Sequence, residues 1–140
     1  MVENNIFVPT KFMLPTSHYD PKRAEHVIRF IENLKHTKGE WFNKEFKLLE
    51  WQDTIIRNLF GIIKPNGYRQ FTTAYVEIAK KQGKTELGAA IALYMLTADG
   101  ERGAEIYSCA ADRAQASLIY NVAVDMISLC PALKRRLKVV

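Results

Sequence analysis

Gly83-Lys84-Thr85 stands between an extended, β-rich segment and an alanine-rich apolar one, and this junction constrains the chain more than any other stretch. Phe71 to Ala79, FTTAYVEIA, is rich in aromatic and β-branched residues and predicts a strand. Thr85 to Leu96 is full of Ala and Leu and predicts a helix. A phosphate held at such a turn needs backbone N–H donors at a helix N-terminus, a mobile cation beside the outer phosphates and a hydroxyl for Mg2+. Gly83 lets the backbone approach, Lys84 is the cation and Thr85 offers the hydroxyl. The common form of this loop carries another glycine five residues before Gly83, where this chain has Ile78. Lys80 and Lys81 add two cations beside the loop. They either solvate its edge or reach a γ-phosphate as an arginine finger does, with a point charge in place of a fork.

The flanking sequence extends the same alternation. Residues up to about 20 carry Pro9 and Pro15 and form an irregular lead-in. Asp20-Pro21 opens a helix with apolar positions Ala24, Val27, Ile28, Ile31 and Leu34, and Gly39 is the expected stop. A second helix is expected from Leu48 to Phe60, with Trp51, Ile55, Ile56, Leu59 and Phe60 inward and Gly61 at its end. Pro65-Asn66-Gly67 is a turn. Ala104 to Ala110 predicts a further strand, and Asp112 caps a helix with Ala116, Ile119, Tyr120, Val122, Ala123 and Met126 on its apolar side, closed by Pro131. Leu137 to Val140 read as the first half of another strand, so the chain reads as a fragment. The expected fold is α/β: an incomplete parallel sheet of the P-loop NTPase type with a helical lead-in. Residues 1–66 form the lead-in and 67–140 the first βα units.

Composition removes other classes. At 140 residues, 48% hydrophobic and 25% charged, the chain suits one soluble globular unit rather than a disordered or fibrous one. No apolar run reaches the length of a membrane span and no secretory leader is visible, so a cytoplasmic protein is expected. Cys109 and Cys130 lack paired spacing and read as small buried hydrophobes. His18, His26 and His36 form no ligand pattern. The net charge of +5 is compatible with a polyanion, but spread along the chain it picks out no groove.

The run Val76 to Glu86, VEIAKKQGKTE, resembles the altered Walker A loop of the large terminase subunit of tailed bacteriophages. That family commonly lacks the first glycine and has a basic residue at the place of Lys80 or Lys81. Phe46 to Gly61 is similar to its upstream segment, where a Trp-Gln pair precedes an amphipathic helix, and Glu105 to Ala116 is similar to its next strand and turn. The resemblance implies part of an ATP-driven motor that packages double-stranded DNA into a procapsid. It further implies ATP and Mg2+ as cofactors, bound by Gln52, Gln82, Gly83, Lys84 and Thr85, with Thr85 toward the metal. Lys84, with Lys80 or Lys81, would be catalytic, and Gln52 would read the adenine. The small terminase subunit, the portal protein and further copies of the motor subunit are the implied partners, in the bacterial cytoplasm, with no membrane. Without the resemblance, Gln52 is equally a solvated helix position, Trp51 a core aromatic, and Asp112, Arg113 and Gln115 a cap and its solvated neighbours. No hydrophobic run ending in Asp-Glu follows the loop, and ATP hydrolysis of this class needs such carboxylates for Mg2+ and water. This chain alone is therefore expected to be inactive, and the nuclease residues of the family are expected elsewhere. Other helicase-like nucleotide hydrolases and a non-catalytic phosphate- or nucleic-acid-binding module remain alternatives on the sequence alone.

Overall fold

A computed structural model describes residues 7–140. The part of the expected lead-in at residues 1–6 lies outside the described residues. Two compact units share the described residues: 7–29 with 48–76, and 30–47 with 77–140.

In the first unit, β1 (His18–Tyr19) pairs antiparallel with β2 (Ile62–Ile63), His18 opposite Ile63 and Tyr19 opposite Ile62. α1 (Pro21–Glu32) begins here as the sequence predicts. Pro21 occupies its first position, and Asp20 Oδ1 accepts the N–H groups of Lys22 at 3.0 Å and Arg23 at 3.3 Å. α2 (Glu50–Gly61) buries Ile56 and Phe60, while Trp51, Ile55 and Leu59 are only half-buried. Trp51 is thus not the core aromatic expected. Arg57 on α2 donates to Asp53 at 2.6 Å, Glu25 at 2.8 Å and the Tyr19 hydroxyl at 3.3 Å. Burial pulls its pKa down, but these bonds outweigh that and hold it above the ordinary arginine value. The turn at Pro65-Asn66-Gly67 forms as expected: Gly67 has φ +83° and its N–H reaches the Lys64 carbonyl at 2.9 Å.

The second unit carries α3 (Lys84–Thr97), α4 (Arg113–Leu129) and α5 (Pro131–Arg136). α3 buries Leu87, Ala89, Ala90, Leu93 and Tyr94; α4 buries Val122, Met126 and Ile127. The two helices pack closely, and a Cβ on Gly88 would lie 3.3 Å from Ile119 Cδ1. Asp112 caps α4 as expected, accepting the Gln115 N–H at 2.9 Å. Tyr120, expected inward, is exposed, because the buried stripe of α4 runs through Val122 and Met126. α4 ends at Leu129 just ahead of Pro131, as expected, and Pro131 then opens α5 at a position where its missing N–H costs no bond.

Three further expectations need correction. α1 ends at Glu32, before Gly39, because residue 34 turns off the helix: its N–H reaches Ile31 at 3.0 Å while its carbonyl accepts Phe46 at 2.9 Å. Gly39, at φ +67°, instead opens a 3-10 turn, Gly39–Trp41. Neither cysteine is a buried hydrophobe: Cys109 is exposed and Cys130 half-buried, and both are free thiols. Among the described residues, no strand ladder forms over 71–79, 104–110 or 137–140. Parallel strands are stable when covered on both faces. Here Tyr75 is 87% exposed and Tyr107 78% exposed, so those faces have no cover. The small antiparallel sheet with α-helices gives a mixed α/β chain. No described helix is long and apolar enough to cross a membrane.

Candidate nucleotide-binding site

The loop ahead of α3 is held by the residue that follows it. The Lys84 ammonium donates to the Ile78 carbonyl at 2.6 Å, folding residues 78–84 into a closed curl. Gly83 makes this possible, with φ 75° and ψ 20° in the left-handed region where a Cβ is disfavoured. Lys81, at φ 65°, adopts the same unusual sign without the freedom of glycine. Positive-φ residues alternating within a turn are the backbone arrangement from which anion-binding concavities are made.

α3 starts directly from this curl. Its N-cap Gly83 supplies no side-chain cap, so the first-turn N–H groups are not claimed by a side chain. Its backbone enters the helix normally, the Gly83 carbonyl accepting the Leu87 N–H at 3.0 Å. A fourteen-residue helix starting in uncapped donors, with a lysine in its first turn, offers the N–H groups and positive charge that a phosphate group requires. Thr85 is half-buried one residue further on, while Lys80, Lys81, Gln82 and Lys84 are exposed. Lys80 and Lys81 form no ion pair with a described residue, so their charge is available to an incoming anion. Ile78, which stands where the common loop has glycine, acts through its carbonyl, a contact no sequence pattern announces.

Chain connectivity brings Lys80, Lys81, Gln82, Gly83, Lys84 and Thr85 to one corner. Gln52 belongs to the other unit, in the first turn of α2. It is 3% exposed, so the solvated-helix alternative for it fails. Its Oε1 accepts the Leu49 N–H at 3.0 Å, which makes it the glutamine half of a capping box. One amide oxygen is thereby engaged in holding the helix start.

The groups at this corner suit a nucleoside triphosphate: the helix-end N–H groups and Lys84 would hold its phosphates, and the Thr85 hydroxyl would face a phosphate-borne Mg2+. Among the described residues, no group of three His, Cys, Asp or Glu side chains is placed to hold a metal on its own. The model of the family described as "Terminase large subunit, ATPase domain" matches residues 50–139, a span that includes both Gln52 and the loop. The chain belongs to this terminase ATPase family. It is also 32% identical over 114 residues to the large terminase subunit of Enterobacteria phage HK97. That match takes in 80% of this chain and 22% of the phage protein, so the chain spans about a fifth of the relative's length. No solved structure matches it. Within the terminase family, the loop at Lys84 falls inside the matched ATPase span rather than beside it.

Proposed function

We propose that this terminase-family chain provides the phosphate-binding corner and the adenine-side glutamine of an ATP-driven motor that packages double-stranded DNA. The observation that carries this is Lys84 folded back over its own loop at the uncapped N-terminus of α3. Lys84 would leave Ile78 for the β- and γ-phosphates, and the α3 N–H groups would hold the phosphate tail. Thr85 would turn its hydroxyl to the Mg2+ carried by the nucleotide. Lys80 or Lys81 would neutralise charge that develops on the transferred group. Gln52 would use the amide group left over from its cap to select the base.

In the whole protein, residues 71–79 and 104–110 would be parallel strands of a P-loop sheet, with α3 as the crossover between them. Their exposed aromatic and β-branched side chains, Tyr75, Val76, Ile106 and Tyr107, support that reading. DNA, the small terminase subunit, the portal protein and other copies of the subunit would be its partners, in the host cytoplasm.

Titration with ATP, GTP and inorganic phosphate in the presence of Mg2+ tests the site. ATP should bind more tightly than phosphate, and Lys84→Ala should abolish the difference. In the full-length protein the same change should reduce hydrolysis by orders of magnitude with the fold intact. Equal binding of ATP and phosphate would replace this reading with a non-catalytic phosphate-binding module.

A further inference from the structure

The expectation that the positive charge is spread along the chain fails at one place. Between Asp125 and Val140 there is no further acidic residue, and Lys134, Arg135, Arg136 and Lys138 place four cations in five positions against a net charge of +5 for the 140 residues. α5 turns that run into a surface. Leu133 is 4% exposed and fixes the helix in its unit, while Lys134, Arg135, Arg136 and Lys138 are exposed. Arg136 is used structurally: its guanidinium donates to the Thr97 carbonyl at 3.2 Å, tying α5 to the end of α3. Lys134, Arg135 and Lys138 have no ion pair or side-chain hydrogen bond among the described residues.

One cation in the last turn complements a helix dipole; a six-residue helix has no use for three in succession. Successive helical positions are 100° apart, so the cations fan around the end of α5 rather than stacking on one neighbour. Like charges held this close repel one another, and a polyanion relieves that repulsion. We propose that the basic end of α5, with Lys134 and Arg135 at its centre and Lys138 beside them, is a docking surface for the phosphate backbone of duplex DNA. The choice of DNA among polyanions rests on the packaging function proposed above; the charge cluster does not. No base-reading side chain is involved, so binding is sequence-independent, as a translocating contact requires.

The test is a titration of this chain into a labelled random-sequence duplex of about 30 base pairs over a range of salt concentrations. Three phosphate contacts give a slope of log K against log salt of about −2.7. Lys134→Glu with Arg135→Glu should lower affinity at low salt by roughly tenfold or more and flatten the slope by about 2. The neutral pair Lys134→Gln with Arg135→Gln should flatten it similarly, with an unchanged far-ultraviolet circular dichroism spectrum. Arg136 is left in place because it anchors the helix. A folded neutral variant with the wild-type slope would overturn the proposal. So would loss of binding to phosphatidylserine vesicles with duplex binding retained, which would assign the surface to a membrane. Nucleotide binding measured on the same samples separates the two conclusions. If wild type fails to bind ATP while the charge variants lose DNA, the loop reading falls and the α5 surface stands.

Discussion

Gln52 has two roles assigned to it, a helix cap and a base contact, and they can be separated by size and polarity. In Gln52→Ala, the bond to the Leu49 N–H is lost, worth about 1 kcal/mol net. Leu49 is itself 53% exposed, so water replaces the acceptor and no full desolvation penalty remains. Removal of the buried Cγ methylene adds about 0.8 kcal/mol, and the higher helix propensity of alanine returns a few tenths. The sum is about 1.5–2 kcal/mol, or a fall in Tm of roughly 5–10 °C for a chain of this size. Gln52→Met keeps the packing and loses only the cap, so it should cost about half as much. Thermal melts of the three proteins give this gradient, and ATP and GTP affinities are then measured well below each Tm. If the amide also reads adenine, both variants lose the preference for ATP over GTP to the same extent, although their stabilities differ. Variants that melt within a degree or two of wild type would refute the cap energetics. Nucleotide losses that follow the Tm gradient, equal for ATP and GTP, would refute the base contact.

Lys81→Gly removes a cation and relieves a φ of 65°, so the gain in strain and the loss in chain entropy roughly cancel, and stability should hold. Compared with Lys80→Ala in full-length hydrolysis assays, it should show which lysine is the catalytic cation; full turnover in both would leave neither in that role. Gly61→Ala puts a Cβ 2.5 Å from Tyr19 Cε2 and 3.1 Å from the Ala24 Cβ, and should destabilise by about 1–3 kcal/mol in urea titrations. A raised midpoint would show that the Tyr19 ring yields freely. The 140-residue chain by itself should release no phosphate steadily from ATP and Mg2+; turnover that Lys84→Ala abolishes would show that hydrolysis does not need an Asp-Glu strand end after the loop.

The helices were legible because each is specified locally. Asp20 and Asp112 cap their helices at the expected residues, and Ala24, Val27, Ile28, Ile31 and Leu34 are all buried as their spacing requires. What depends on distant partners was not legible. The strands expected at 71–79 and 104–110 have β propensity, but a ladder is made by neighbours, and none covers Tyr75 or Tyr107. The end of α1 was missed because the Leu34 carbonyl is claimed from Phe46, twelve residues away. At the candidate site, the left-handed turn that Gly83 makes ahead of a helix could be read from residue type. The burial of Gln52 could not, because glutamine is a surface residue by default. The hold of Lys84 on Ile78 is a main-chain contact that leaves no mark in the sequence.

That hold also bears on how fast and how tightly an anion could be taken up. Fixing the backbone of a free residue costs about 1–2 kcal/mol, so a slack loop over residues 78–84 would give up much of a phosphate's binding energy simply on becoming ordered. Here the curl from Ile78 to Lys84 is closed beforehand by one hydrogen bond of 2.6 Å. An arriving phosphate would exchange this carbonyl partner for a stronger, charged one, and the positive-φ turn at Lys81 and Gly83 would be left to keep the loop shaped. Capture would then resemble the swapping of a single ligand rather than the folding of a lid. A site of that kind would reset itself each time the anion left.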